Sequence, residues 1–167
     1  LLADLGAEVI HIEPPKGDPT RRLKGFGTGY FPFYNRNKSS LPIDLKSDEG
    51  RHAVNALVKT ADVVVENFGP GTMDRLGYGY TNLREYNSKL IYCSLKGFLS
   101  GPYEKRTAMD EVVQMMGGLA YMTGPPGQPL RAGASVIDVS GGMFGALGIL
   151  SALYEREQTG EGKFLKA

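Results

Sequence analysis

The chain has 167 residues, 23 of them Gly and 10 Pro. Gly stands at about twice its usual share without a collagen period, while apolar (41%) and charged (22%) residues are near ordinary globular values, so disordered and fibrous structure are excluded. A net charge of +1 without a basic stripe gives nucleic-acid binding no electrostatic support, and the single cysteine, Cys93, excludes an internal disulfide framework and a Cys/His metal motif.

In chain order, Leu1-Leu2-Ala3-Asp4-Leu5-Gly6 reads as the last turns of a helix stopped by Gly6. Residues 7–13 read as a buried strand, with Val9, Ile10 and Ile12 at its heart and Pro14-Pro15 closing it. Residues 16–39 form a long irregular stretch rich in Gly, of the kind that is functional or holds short strands. Ser47 is a helix N-cap, with Asp48 and Glu49 in the first turn and a helix running to Thr60. Residues 61–68, centred on Val63-Val64-Val65, are a second buried strand, followed by short helices over 70–76 and 81–87 and a third strand over 90–95. Residues 107–121 read as one helix ended near Gly124-Pro125-Pro126, and 136–157 as the longest helix, ended by Gly160. Lys163-Phe164-Leu165 leads into a further strand. Both ends cut through elements, which predicts an internal piece of a longer protein.

Strands with continuous apolar runs alternating with helices predict an α/β fold, a parallel sheet with helices on both faces. Ligands of such sheets sit beyond the carboxyl ends of the strands. That singles out the turns Glu13-Pro14, Glu66-Asn67-Phe68-Gly69 and Lys96-Gly97-Phe98. Gly admits a ligand close to the backbone, and Phe offers a flat surface for a base; residue types alone fit ordinary turns and core Phe better. No G-x-G-x-x-G follows a strand, and neither a P-loop nor G-x-S-x-G occurs. Residues 141–154, the longest nearly apolar run, fall short of the ~20 residues of a membrane span. No metal and no membrane partner are expected, and one cysteine suits a reducing compartment: the cytoplasm, with mitochondrial matrix and peroxisome as alternatives.

The last long helix begins Ser135-Val136-Ile137-Asp138. Its dipole and unpaired N–H groups predict a lowered pKa for Asp138 and donors for an oxyanion. Gly141, Gly142, Gly145 and Gly148 open one surface of that helix to a close neighbour. Taken alone, these residues fit a capping Asp and tight helix packing better than a catalytic site.

The ordered segments change that balance. LLADLGAEVIHIEPPKGDPTR, NRNKSSLPIDLKSDEGR, ADVVVENFGPGTMDRLGYGY, LIYCSLKGFLSGPY, MDEVVQMMGG and ALYEREQTGEGK together resemble the family III CoA-transferases, the group of formyl-CoA transferase and carnitine CoA-transferase, over essentially the whole chain. The resemblance implies a Rossmann-like large domain, incomplete over residues 1–167 and without the small domain, from an intertwined homodimer about twice this length. It implies transfer of CoA from an acyl-CoA to a small carboxylic acid, with coenzyme A entering as the acyl-CoA substrate. Asp138 falls on the family's nucleophile. Asn67, Phe68 and Gly69 fall on the segment beside the adenosine of CoA, and Lys46 and Arg75 on basic positions that pair with its phosphates. The family's Lys falls on Thr107, which leaves Arg106 as the neighbouring cation, and Pro14 stands where transferases often carry a basic residue. The acyl-CoA racemases of the same fold place a proton-carrying His at Met109, which favours transfer over racemisation. The third alternative is a non-catalytic role, and the isolated chain is expected to be inactive.

Overall fold

The computed structural model describes residues 1–167 except the side chain of Phe26. It divides into two units, Leu1–Leu57 and Val58–Ala167.

In the first unit the opening residues form a 3-10 turn, Ala3–Leu5, closed by Gly6 at φ 98°, as its position predicts. Strand β1, Val9–Glu13, pairs in parallel with β2, Lys38–Pro42, from Val9 opposite Lys38 to Glu13 opposite Pro42. β2 has no apolar run to announce it. Two serines, a lysine and a proline make up four of its five residues, and its extended form comes from the partner strand. The stretch read as irregular also holds 3-10 turns at Pro19–Arg22 and Gly25–Gly27 and a short helix α1, Tyr30–Asn35. β1 is buried at Glu13 alone; Ile10 is exposed, so the expected burial of the whole strand is not met in a two-stranded sheet.

Glu13 is nonetheless fully served. Arg21 donates from Nε (2.8 Å) and Nη2 (2.6 Å), the Asp18 N–H donates at 2.6 Å, and the Ser40 hydroxyl donates as well. The Arg21 guanidinium lies 3.8 Å from the Phe31 ring centre. Helix α2, Asp48–Val58, starts as read, with Ser47 Oγ accepting from the Gly50 N–H at 3.0 Å.

In the second unit three parallel strands lie in the order β3 (Val63–Glu66), β4 (Ile91–Ser94), β5 (Phe164–Lys166). The five strands therefore form two sheets, not the one expected. β4 is central and buried at every residue, while β3, with a neighbour on one side only, leaves Val65 exposed. Helices α3 (Thr72–Leu76) and α4 (Tyr80–Tyr86) follow β3. The helix expected over 107–121 is two, α5 (Asp110–Met116) and α6 (Leu119–Thr123), because Gly117-Gly118 intervenes and Gly118 takes φ 82°, which a continuing helix does not allow.

The longest helix, α7, runs Val136–Thr159 and ends at Gly160 in the left-handed region. Its apolarity and 24-residue length match those of a membrane span, yet Gly145, Ala146, Ile149 and Ala152 are buried within this chain. A Cβ at Gly145 would stand 2.6 Å from Leu95 Cδ2 and 3.5 Å from Cys93 Sγ, and one at Gly148 would stand 3.6 Å from Leu165 Cδ1. So α7 lies directly on the face of the sheet that carries Cys93 and Leu165. On the opposite face Tyr80 of α4 meets Tyr92 and Phe164, with ring centres 6.0 and 5.5 Å away. Helices thus cover both faces of this parallel sheet.

Candidate active site

The amino end of α7 is built by three segments. Ser135 stands at the N-cap position without a side-chain capping bond. The acceptor comes instead from α5: Asp110 Oδ1 takes the N–H of Ile137 (2.8 Å) and that of Asp138 (3.1 Å). Asp110 is itself buried and held by Gln114 Nε2 one turn on, with Arg131 Nη2 at 3.9 Å. Gln114, which has no exposed surface, also accepts from the Ala132 N–H (2.7 Å) and donates to the Ala134 carbonyl (3.3 Å).

This arrangement corrects two expectations. The Val136 N–H donates to Ala134 and that of Val139 to Ser135. With Ile137 and Asp138 bound to Asp110, the first four N–H groups of α7 are all taken, so they are not the oxyanion donors anticipated. The Asp138 carboxyl, though its residue is exposed, is pushed above the ordinary Asp value rather than below it. Lost hydration is the largest cause, followed by the negative charges of Asp110 and Glu111. The donors that the sequence assigned to Asp138 serve Asp110, and the charge they attract faces Asp138. Gly141 and Gly142, one turn along, border open space.

A second polar cluster stands at the carboxyl ends of the strands. Glu66, Ser94 and Lys166 share one register row across β3, β4 and β5. Buried Glu66 accepts from the Ser94 hydroxyl and from Lys96 Nζ at 2.9 Å to each oxygen. Lys96 Nζ also donates to the Phe68 carbonyl at 2.6 Å, and the other Glu66 oxygen, Oε2, accepts from the Phe68 N–H at 2.8 Å. Lys166 pairs with Glu104. A cavity of about 360 Å³ opens here, between this row, the 69–74 turn and the rings of Tyr80, Tyr92 and Phe164. Another, of about 440 Å³, lies at the amino ends of the strands; there Arg156 is bound to Asp62 and to the Lys89 carbonyl.

Of the residues singled out by sequence, Asn67, Phe68, Gly69 and Arg75 share the β3–α3 turn and helix. Asn67, Phe68 and Gly69 are exposed, and Gly69 borders the 360 Å³ cavity. Arg75 is bound locally, to Thr72 Oγ1 (2.9 Å) and the Pro70 carbonyl (3.5 Å). Arg106 comes from the segment after β4, its guanidinium 4.7 Å from the Tyr103 ring centre. Lys46 belongs to the first unit and is exposed in the turn before α2. Sequence reasoning missed the roles of Gln114 and Arg131 and, although Glu66 and Lys96 stand in turns it singled out, the joining of Glu66, Ser94 and Lys96 in one cluster. The signal available for the last was the common register of two strand ends.

The chain belongs to CoA-transferase family III, whose family model matches residues 1–167. It is 42% identical over 168 residues to the formyl-CoA:oxalate CoA-transferase of Streptomyces avermitilis, covering 98% of this chain and 41% of that protein. It is 47% identical to the acetyl-CoA:oxalate CoA-transferase of Acetobacter aceti, covering 97% of this chain and 43% of that one. Among solved structures, a CAIB/BAIF family protein from Brucella suis superposes with a TM-score of 0.91 at 41% identity, over 98% of this chain and 46% of that one. The chain therefore spans less than half the length of these relatives.

Proposed function

We propose that the full-length protein is a CoA-transferase that moves CoA from a small acyl-CoA to a free carboxylic acid, with Asp138 as nucleophile, and that residues 1–167 are part of its large domain. The observation that carries this reading is an exposed Asp in the first turn of α7, on the family's nucleophile position, in a chain that belongs to the family. The relatives act on oxalate with formyl-CoA or acetyl-CoA, which makes those the first substrates to test.

The chemistry closes without metal, redox partner or net proton transfer. A carboxylate oxygen of Asp138 attacks the acyl carbon of the thioester; the C–S bond breaks and CoA leaves as thiolate. The thiolate then attacks the Asp138 carbonyl of the mixed anhydride, which releases the donor acid and leaves an aspartyl-CoA thioester. The acceptor carboxylate attacks that carbonyl in turn, expelling thiolate and forming a second anhydride. Thiolate attacks its acceptor acyl carbon, giving the new acyl-CoA and free Asp138. One thioester is exchanged for another, so the sequence is close to isoenergetic.

Asp138 reacts as the anion, and its raised pKa makes it a more basic carboxylate than an ordinary Asp. For the CoA moiety, Asn67, Phe68 and Gly69 supply an exposed backbone turn with one aromatic face, and Arg75 and Arg106 supply exposed cations for phosphates; Lys46, an exposed cation of the first unit, is proposed for phosphate on the family resemblance alone. Met109, extended and exposed immediately before Asp110, has no proton to give or take, which supports transfer over racemisation. The protein is expected to be an intertwined homodimer in the cytoplasm.

The test is exchange of label between formyl-CoA and oxalate by the full-length protein. Asp138→Asn is expected to abolish exchange and to leave CoA binding in place; full exchange by that variant refutes the nucleophile.

A further inference from the structure

We propose that Gln114 is the positioning residue of Asp138, joining the α5 carboxylate that caps α7 to the 131–134 strap that leads into α7. The proposal rests on the nucleophile reading above.

Gln114 reaches three groups from one fully buried side chain. Its Nε2 donates to Asp110 Oδ2 and to the Ala134 carbonyl, and its Oε1 accepts from the Ala132 N–H. Asp110 keeps its other oxygen for the N–H groups of Ile137 and Asp138. Gln114 therefore fixes both things that set where α7 begins: the acceptor that caps it and the strap that enters it. A side chain of one charge could not do this. A Lys has no acceptor for Ala132, and a carboxylate has no donor for Asp110; the neutral amide has both. An amide in this place holds Asp110 without cancelling its charge, so the negative field on Asp138 persists. Arg131, at 3.9 Å and half exposed, is too distant for a hydrogen bond to Asp110 and leaves that task to Gln114.

The consequence is specific to a protonatable substitute. In Gln114→Glu, a protonated Glu donates to Asp110 and accepts from Ala132, reproducing most of the amide's bonds. An ionised Glu repels Asp110 and frees the cap. Gln114 itself meets Asp110 on its own helix; Arg131 on the strap stands 3.9 Å from Asp110, and Asp110 and Glu111 both act on Asp138 of α7. The carboxylates of this group outnumber its one cation, so they favour the protonated form.

The experiment measures exchange by the full-length protein against pH. The ratio of Gln114→Glu to parent kcat is expected to fall about tenfold or more between about pH 6 and about pH 9. Gln114→Met, which keeps the volume and loses every hydrogen bond, is expected to lower kcat about 10- to 100-fold, with KM for the CoA thioester changed less than about twofold. A pH-independent Gln114→Glu ratio, or a folded Gln114→Met protein with parental kcat, overturns the proposal. If Asp138→Asn is inactive while both Gln114 variants behave as the parent, positioning fails and the nucleophile stands; if Asp138→Asn is fully active, both fail.

Discussion

Glu13 in the first unit and Asp138 in the second are carboxylates treated in opposite ways. Glu13 is buried and surrounded by donors: Arg21, the Ser40 hydroxyl and the Asp18 N–H together hold it well below the usual carboxylate range. Asp138 is exposed, and each influence on it, lost hydration and the charges of Asp110 and Glu111, acts upward. A carboxylate whose lone pairs are all engaged serves to join segments, here β1, β2 and the 18–21 turn. One kept basic, with negative charge around it, suits the nucleophile proposed for it. The difference distinguishes a joining acid from the proposed reacting one more sharply than burial alone does.

The largest test of this contrast is activity. Asp138→Asn is expected to cost at least about 10³-fold in kcat, the scale set by removing a covalent nucleophile, whereas Glu13→Gln is expected to change kcat less than about threefold in protein that remains folded. Stability should reverse the order. Glu13→Gln is expected to lower Tm by ~5 °C at neutral pH in a calorimetric scan. Because the folded pKa of Glu13 is depressed, its contribution is present above the ordinary Glu value of about 4.3 and fades as pH falls through its lower folded value, so parent and variant should converge in acid.

A smaller effect of opposite sign is expected at Asp138. Its folded pKa is raised, so ionisation opposes folding once pH exceeds the ordinary Asp value of about 3.9. Asp138→Asn should therefore melt ~1 °C above the parent at neutral pH, and the gain should vanish below that value. A parent more stable than the variant at neutral pH would break the comparison. A further stabilising change lies one turn away. Gly141 borders open space in a helix, so Gly141→Ala is expected to add roughly 0.5–1 kcal/mol in denaturant unfolding. Gly145→Ala, placed against Leu95, should lose stability instead.

Local chemistry made much of the fold readable. Ser47 caps α2, Gly6 and Gly160 end helical turns, and the apolar runs around Val64 and Tyr92 became parallel strands. What escaped was set by partners distant in sequence. β2 is a strand because β1 lies beside it, and the stretch 107–121 breaks at a pair of glycines that a helical pattern tolerates on paper. The candidate site divides in the same way. The place of Asp138 at the start of a helix follows from its own segment. The direction of its pKa does not, because it is set first by lost hydration in the folded chain and then by the charge of Asp110, 28 residues earlier, which also takes the N–H groups. Likewise, the joining of Lys96 to Glu66 depends on two strand ends standing side by side.

The contact of Gly145 with Cys93 and Leu95 has a mechanical consequence. Gly145 is seven residues from Asp138, about 10 Å along the helix, and it seats α7 on β4, the central strand, buried at every residue. The sheet is thus the datum against which the proposed nucleophile is measured. A bulkier residue at Cys93 would lift the helix at that fulcrum and displace Asp138 without touching it, so the dimensions of a buried thiol become part of the tolerance to which the Asp138 carboxylate is placed.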